Sequence, residues 1–290
     1  MQKRELLLQL HLAQGIGLAS ENHLAKLLAK LPADFDCNHL KTTQLATLAK
    51  LTAANRSRFI ADFRTEAHLA RCCQQGEDYL TIFDAAYPKR LRETYQPPTV
   101  LFYQGNLALL QTTCLAIVGA RQATSYTPQV LKNFLPSLIK VQCTIISGLA
   151  QGADGYAHQL TLASGGQTIA VIGTGLDTYY PKQNAQLQAQ VAQNGLVLSE
   201  YPLGSRPERY HFPQRNRIIA GLCHALCVTE ARHHSGSLIT ANLALQENRS
   251  VLAVPGSIMA PLSAGCNELI LAGAKPALTV RDIWEELQYF

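Results

Sequence analysis

The sequence predicts an α/β protein built on a doubly wound parallel sheet, with a smaller all-helical domain ahead of it. Two observations carry this. From Leu115 onward, short apolar runs alternate with helix-period stretches, and a glycine turn follows several of the runs. Residues 1–70, by contrast, keep helical spacing and read unlike the remainder. Apolar strands separated by helices belong in a parallel sheet covered on both faces, where ligands collect at the carboxyl ends of the strands.

The helical domain is expected over residues 1–75. Leu6, Leu7, Leu10 and Ala13, then Leu24, Leu27, Leu28 and Leu31, keep helical spacing on either side of Gln14-Gly15-Ile16-Gly17. A helix, a glycine hairpin and a second helix capped near Ser20 read as an αα-hairpin. The alternative is a helix-hairpin-helix unit, whose turn offers backbone N–H groups to a nucleic-acid phosphate. Further helix is expected near 43–50 and 54–74. The latter carries Arg56, Arg58, Arg64 and Arg71, a charge run that reads as a solvated face.

Gly76 marks a change of texture and the start of the second domain, 76–290. Residues 77–110 hold two short β-rich pieces, 79–83 and 99–103, among Tyr87-Pro88, Pro97-Pro98 and Gly105-Asn106, and read as a connecting segment laid against the next domain. Strands are then expected at 115–118, 143–147, 168–172, 196–199, 225–229 and 250–254. Helices are expected at 127–141, 154–164, 184–193, 214–221, 237–247 and 266–273.

At 290 residues, 47% apolar and 16% charged, the chain has the make-up of an ordinary globular protein of one or two domains, which excludes a disordered or fibrous class. No apolar run nears the roughly 20 residues of a membrane span. The start, MQKRELLLQLHLAQG, is interrupted by His11 and Gln14 and reads as a helix rather than a signal peptide, so a cytoplasmic protein is expected. Of eight cysteines, Cys114, Cys143, Cys223 and Cys227 sit inside apolar runs and read as small core hydrophobes. Cys223-His224-x-x-Cys227 has the spacing of half a metal site. Residues 225–229 read as a strand, though, and no matching pair lies nearby, so no metal is expected. The net charge of +5 leans toward a polyanionic partner.

The informative residues are at the strand ends. Four glycine turns follow strands: Gly119-Ala-Arg121, Ser147-Gly148-Leu-Ala-Gln-Gly152-Ala-Asp154, Gly173-Thr-Gly175-Leu-Asp177 and Ser235-Gly236-Ser237. Free N–H groups at such turns, with the positive end of a helix dipole, make an anion seat. Cations accompany them: Arg121, Lys182, Arg215 and Arg217. If these converge, the mouth of the sheet is a cationic, amide-lined pocket suited to phosphates, with Tyr180, Tyr201 and Phe212 as rings on which bases stack. Asp154 is placed to cap its helix, Asp177 to brace its own loop, His158 to sit buried and Asn216 to tie down backbone. Glu200 and Glu230 at strand ends are the better candidates for chemistry, the alternative being that each simply balances the local positive charge. No nucleophile with its base, metal cluster, Walker-type lysine loop or full dinucleotide fingerprint is present, so binding without catalysis and without a cofactor is expected.

These motifs come in a telling order. Ile117-Val-Gly-Ala-Arg121, Ser147 to Asp154, Gly173-Thr-Gly-Leu-Asp177 with Tyr180-Pro181, and Ser199-Glu-Tyr-Pro202 are followed by Phe212-Pro-Gln-Arg-Asn-Arg-Ile-Ile-Ala-Gly-Leu222, Ser235-Gly-Ser-Leu-Ile-Thr-Ala241 and Val254-Pro-Gly256. Together they closely resemble the DNA-processing protein A family, also called Smf. The resemblance implies a Rossmann-like core and a role in natural transformation: binding and protecting incoming single-stranded DNA and loading RecA onto it, as a homodimer and without enzymatic activity. On matching positions it implies Arg121 as the principal phosphate grip and Lys182, Arg215 and Arg217 as helpers. Gly119, Ser147, Gly148, Gly152, Gly236 and Ser237 complete the seat. Many relatives carry a further winged-helix-like domain, for which this chain is expected to have no room. His233-His234 stands where relatives often carry other polar or basic residues, so the pocket charge there is expected to follow pH. The apolar residues of 250–275 are expected to supply a dimer face. The alternative is a nucleotide N-glycosidase resembling the lysine-decarboxylase-like phosphoribohydrolases. Ser235 to Thr240, the counterpart of their catalytic motif, carries no acid.

Overall fold

A computed structural model describes residues 1–288. The chain forms two compact units, Met1–Phe102 and the residues from Tyr103 onward. The first opens with helices α1 (Lys3–Leu12), α2 (Leu18–Ala29), α3 (Thr42–Leu48), α4 (Ala53–Asp62) and α5 (Glu66–Gln74). Strand β1 (Tyr79–Thr81), a single helical turn α6 (Lys89–Arg92) and strand β2 (Val100–Gly105) follow, with β1 and β2 antiparallel and the division between the units falling within β2. The leucines that set the helical period, Leu6, Leu7, Leu10 and Leu24, are buried. Arg4 lies over the Tyr79 ring and donates to the Tyr79 carbonyl at 2.7 Å, so β1 packs with the helices.

Two local expectations need correcting here. The stretch 54–74 is two helices, because Arg64 takes a left-handed φ of 63° and the Thr65 hydroxyl then accepts the His68 N–H to start α5. Ser20 lies inside α2, which begins directly after Gly17. The arginine run keeps a partly solvated face: Arg58 is exposed, while Arg56 bonds Thr47, Arg64 the Leu40 carbonyl and Arg71 Asp62.

The second unit alternates strand and helix. In chain order come β3 (Cys114–Val118), α7 (Tyr126–Lys140), β4 (Thr144–Ser147), α8 (Ala153–Ala163), β5 (Thr168–Ile172), α9 (Ala185–Asn194), β6 (Leu196–Ser199) and α10 (His211–Leu222). They are followed by β7 (Ala225–Val228), α11 (Gly236–Gln246), β8 (Ser250–Ala253), α12 (Ala264–Leu271), β9 (Lys275–Pro276) and α13 (Val280–Leu287). Neighbouring strands run β6-β5-β4-β3-β7-β8-β9, all parallel. Every residue of β3 is buried, and Leu115 and Ile117 share one core with Leu131, Phe134 and Leu138 of α7. The chain winds outward from β3 through β6, then returns to lay β7 on the other side of β3. That reversal opens a crevice at the carboxyl ends of β3 and β7, where doubly wound sheets bind ligands.

All eight cysteines are free. Burial pushes the thiols of Cys143, Cys227 and Cys266 up to about 12, as expected of core residues. His224 accepts the Cys114 N–H at 3.0 Å, and no metal-binding cluster occurs among the described residues. Among them, no helix is long and apolar enough to cross a membrane.

Candidate functional site

The crevice between β3 and β7 holds a recess of about 270 Å³. Its wall is the turn after β3 (Gly119, Ala120, Arg121), the start of α11 (Ser235, Gly236, Ser237) and one face of α10. That face is Phe212, Arg215, Asn216 and Ile219, residues at i, i+3, i+4 and i+7 on a single helical stripe. A smaller recess of about 60 Å³ adjoins it, lined by Gly148, Gly173, Tyr180 and Pro181 and sharing Arg121, Ala150, Phe212 and Arg215. The glycine turns after β3, β4 and β5 and the start of α11 therefore meet at one mouth.

Arg121 stands at the lip of both recesses. It is exposed, it meets no carboxylate among the described residues, and its guanidinium carbon lies 5.6 Å from the Phe212 ring centre. Tyr180 continues the row, its ring 5.4 Å from Phe212. The loop bearing Arg121 is held from below by Glu230, which is 3% exposed. Its carboxylate accepts the Thr124 N–H at 2.9 Å, the Thr124 hydroxyl at 2.8 Å and the Thr127 hydroxyl at 2.7 Å.

The other cations are placed differently. Arg215 is buried at the floor, donating from Nη1 to the Val171 carbonyl at 2.6 Å, while its Nε has no hydrogen-bond partner among the described residues. Arg217, two residues on, leaves the recess-lining stripe and pairs with Glu200. Lys182 is exposed, next to Pro181 of the smaller recess but outside its lining.

Several predicted seat residues shape the mouth. The Ser147 hydroxyl donates to the Ile117 carbonyl at 2.6 Å and is fully buried. The Ser237 hydroxyl donates to the Gly119 carbonyl at 2.8 Å, pinning α11 to the β3 turn. Gly152 packs under the carbonyls of Ala120 and Arg121, where a side chain has no room. The Gly148 N–H donates to Asp154 at 3.1 Å and is not free for a ligand. Asp154 thus braces the turn before α8 rather than capping the helix amides. Burial raises its carboxyl pKa, opposed by the charge of Arg215 and by the amides of Ala150 and Gly148.

Asp177 reaches across to the Gly204 N–H at 2.8 Å, bracing a neighbouring loop instead of its own. The Tyr201 ring stacks on His211, and its hydroxyl bonds Gln214, so that ring is engaged internally. His158 is fully buried, with Nδ1 2.7 Å from the Thr168 hydroxyl, as expected. His233 pairs with Glu268, away from His234 as a joint ligand pair. Asn216 lines the larger recess and has no backbone tie among the described residues, contrary to expectation. Its helical spacing from Phe212 is the signal that puts it in the site.

Residues 78–288 match the model of the family described as DNA recombination-mediator protein A. The chain belongs to that family. DNA processing protein DprA of Streptococcus pneumoniae is 46% identical over 224 residues, which are 77% of this chain and 79% of that protein. DprA of Bacillus subtilis is 41% identical over 220 residues, 76% of this chain and 74% of its own. The solved structure of the pneumococcal protein superposes with a TM-score of 0.89 at 37% identity, covering 99% of both chains. That of DNA processing protein A from Helicobacter pylori, described for its single-stranded DNA binding mode, gives 0.66 at 30% identity, covering 74% of this chain and 98% of that one. In this member of the recombination-mediator protein A family, the mouth therefore lies wholly within the matched segment.

Proposed function

We propose that this chain binds single-stranded DNA at the strand-end mouth without cleaving it. On this reading it acts in the cytoplasm as the recombination mediator that protects incoming strands in natural transformation and loads RecA onto them. The observation that carries the reading is Arg121, an exposed guanidinium free of carboxylates among the described residues, at the lip shared by both recesses. Arg121 grips a phosphate, with the Gly119 turn and the amides at Gly236 and Ser237 as its seat. Lys182 meets a phosphate at the margin, and Arg215 adds positive potential from the floor. Arg217 acts through Glu200, fixing α10 to the end of β6. Phe212 and Tyr180 offer their faces to bases.

Binding without chemistry is supported by the state of the acids. Asp154 is committed to two amides, Glu230 to the Thr124 loop and Glu200 to Arg217. A homodimer is supported by Ile258, Met259 and Leu271, apolar side chains at least 85% exposed in the protomer.

The test is a competition titration of single strand, duplex and mononucleotide at two salt concentrations. Single strand should win, with a log-log salt slope near −0.7 per phosphate neutralised. Arg121→Ala should weaken binding to every sequence and flatten the slope by roughly one phosphate. Undiminished binding by that variant, equal competition by mononucleotide, or base release with turnover would each overturn the reading. Light scattering over a dilution series tests the dimer, with Leu271→Glu expected to give monomers. Stimulation of RecA assembly on single strands tests the loading role.

A further inference from the structure

Beyond the mouth, the carboxyl ends of β5 and β6 carry two loops clamped together by polar contacts. The Gly175 N–H donates to the Ser205 carbonyl at 3.0 Å, and the Asp177 carboxylate accepts the Gly204 N–H. Tyr179 is 48% exposed and Tyr210 60%, and Arg206 and Arg209 are exposed with no carboxylate partner among the described residues. Glu208 is the one exposed acid in that stretch of loop, and its carbonyl is used to start α10 at His211.

The rings connect back to the site through consecutive residues. Tyr210 meets His211 edge to face at 4.5 Å, and the next residue, Phe212, meets Tyr180 and Arg121 at the mouth. Exposed rings accompanied by cations that have no carboxylate partner among the described residues fit an unstacked polynucleotide, because every base has a π-face and every link a phosphate.

We propose that the loop over residues 202–210 prolongs the nucleic-acid site away from the mouth, with Tyr179 and Tyr210 stacking bases and Arg206 and Arg209 facing phosphates. This rests on the single-strand reading above and adds to it a direction of travel and a longer footprint. Tyr210 is the decisive residue: its exposure leaves it no core role, and its ring is anchored by His211 at a fixed angle.

The experiment compares oligothymidylates of about 6 and about 15 nucleotides, lengths within the span such stacking sites cover. The wild type should bind the longer one more tightly. The double variant Tyr179→Ala/Tyr210→Ala should lose roughly tenfold of that gain while holding the short oligomer as before. Tyr210→Phe, which keeps the ring, should retain the gain. Irradiation with 5-iododeoxyuridine placed toward one end of the longer strand should crosslink Tyr210. An unchanged length gain in the double variant, with the short oligomer still held through Arg121, overturns the track alone. No Arg121-dependent hold on the short oligomer removes the mouth reading and the track together.

Discussion

The Arg215 guanidinium lies against Gly148 so closely that a β-carbon at position 148 would overlap it. A buried cation at the floor of the mouth is thus packed on backbone that only glycine permits.

Gly148→Ala should therefore force Arg215 off the Val171 carbonyl and away from the compensating charge of Asp154. We expect a loss of about 1–3 kcal/mol in stability, as for overpacked cores, together with weakened DNA binding. Gly236→Ala, where an added β-carbon meets nothing within 4 Å, should stay within about 0.5 kcal/mol. Denaturant melts of the two variants side by side would reveal the contrast; equal stability would mean that Arg215 relocates freely.

Glu230 offers a second handle, since it orders the loop that carries Arg121 without touching the recess itself. Removing its three hydrogen bonds in Glu230→Ala should cost about 1–3 kcal/mol and lower DNA affinity several-fold, with Glu230→Gln intermediate. Melting curves paired with titrations would check this. Wild-type affinity in the alanine variant would show that Arg121 needs no such support.

His158 makes stability depend on pH. Burial pushes its imidazole down to about 3, with the positive charge of Arg215 adding to the effect. The folded state thus holds it neutral, while the unfolded chain takes up a proton below the ordinary value of about 6.5. Stability from this group is present above that value and drains away as pH falls, by about 2 kcal/mol between pH 7 and pH 5. His158→Gln should flatten that part of the curve in urea melts run across the same range. A slope identical to wild type would place the titrating group elsewhere.

In the helical unit, Gly15 has a φ of 81°, and a side chain there would overlap the Asn55 carbonyl. The neighbouring Gln14 N–H is taken by Asp62 at 2.9 Å, and Asp62 in turn holds Arg71. An internal carboxylate so occupies the spot where a phosphate would sit in a helix-hairpin-helix unit. Gly15→Ala should lower stability by about 1–2 kcal/mol yet leave the DNA affinity of the folded protein unchanged. A selective loss of affinity would make the hairpin a DNA contact after all.

How much of this was legible beforehand follows from the kind of information each feature needs. Strands such as 168–172 were readable to the residue because an unbroken apolar run ends at a glycine, and both signals are local. The meeting of Arg121, Gly148 and Gly236 at one mouth followed from topology, since parallel strands put their following turns on the same side. The partners of Asp154, Asp177 and Glu230 were not readable. A carboxylate chooses among amides brought near by the fold, and nothing in the local sequence ranks them. The split between Arg215 and Arg217 was half visible. Residues two apart on a helix point to nearly opposite sides, so both could not face one recess. Which of them would face it depended on Glu200 waiting at the end of β6.

The cysteine inventory has a practical corollary. Six of the eight thiols are buried, and burial raises that of Cys72 to about 11, whereas Cys73 is open to solvent. A maleimide dye offered to the unmodified protein at neutral pH should settle on Cys73, in the helical unit. Such a single tag, remote in sequence from the glycine turns, would let a fluorescence titration follow strand capture without engineering an attachment point.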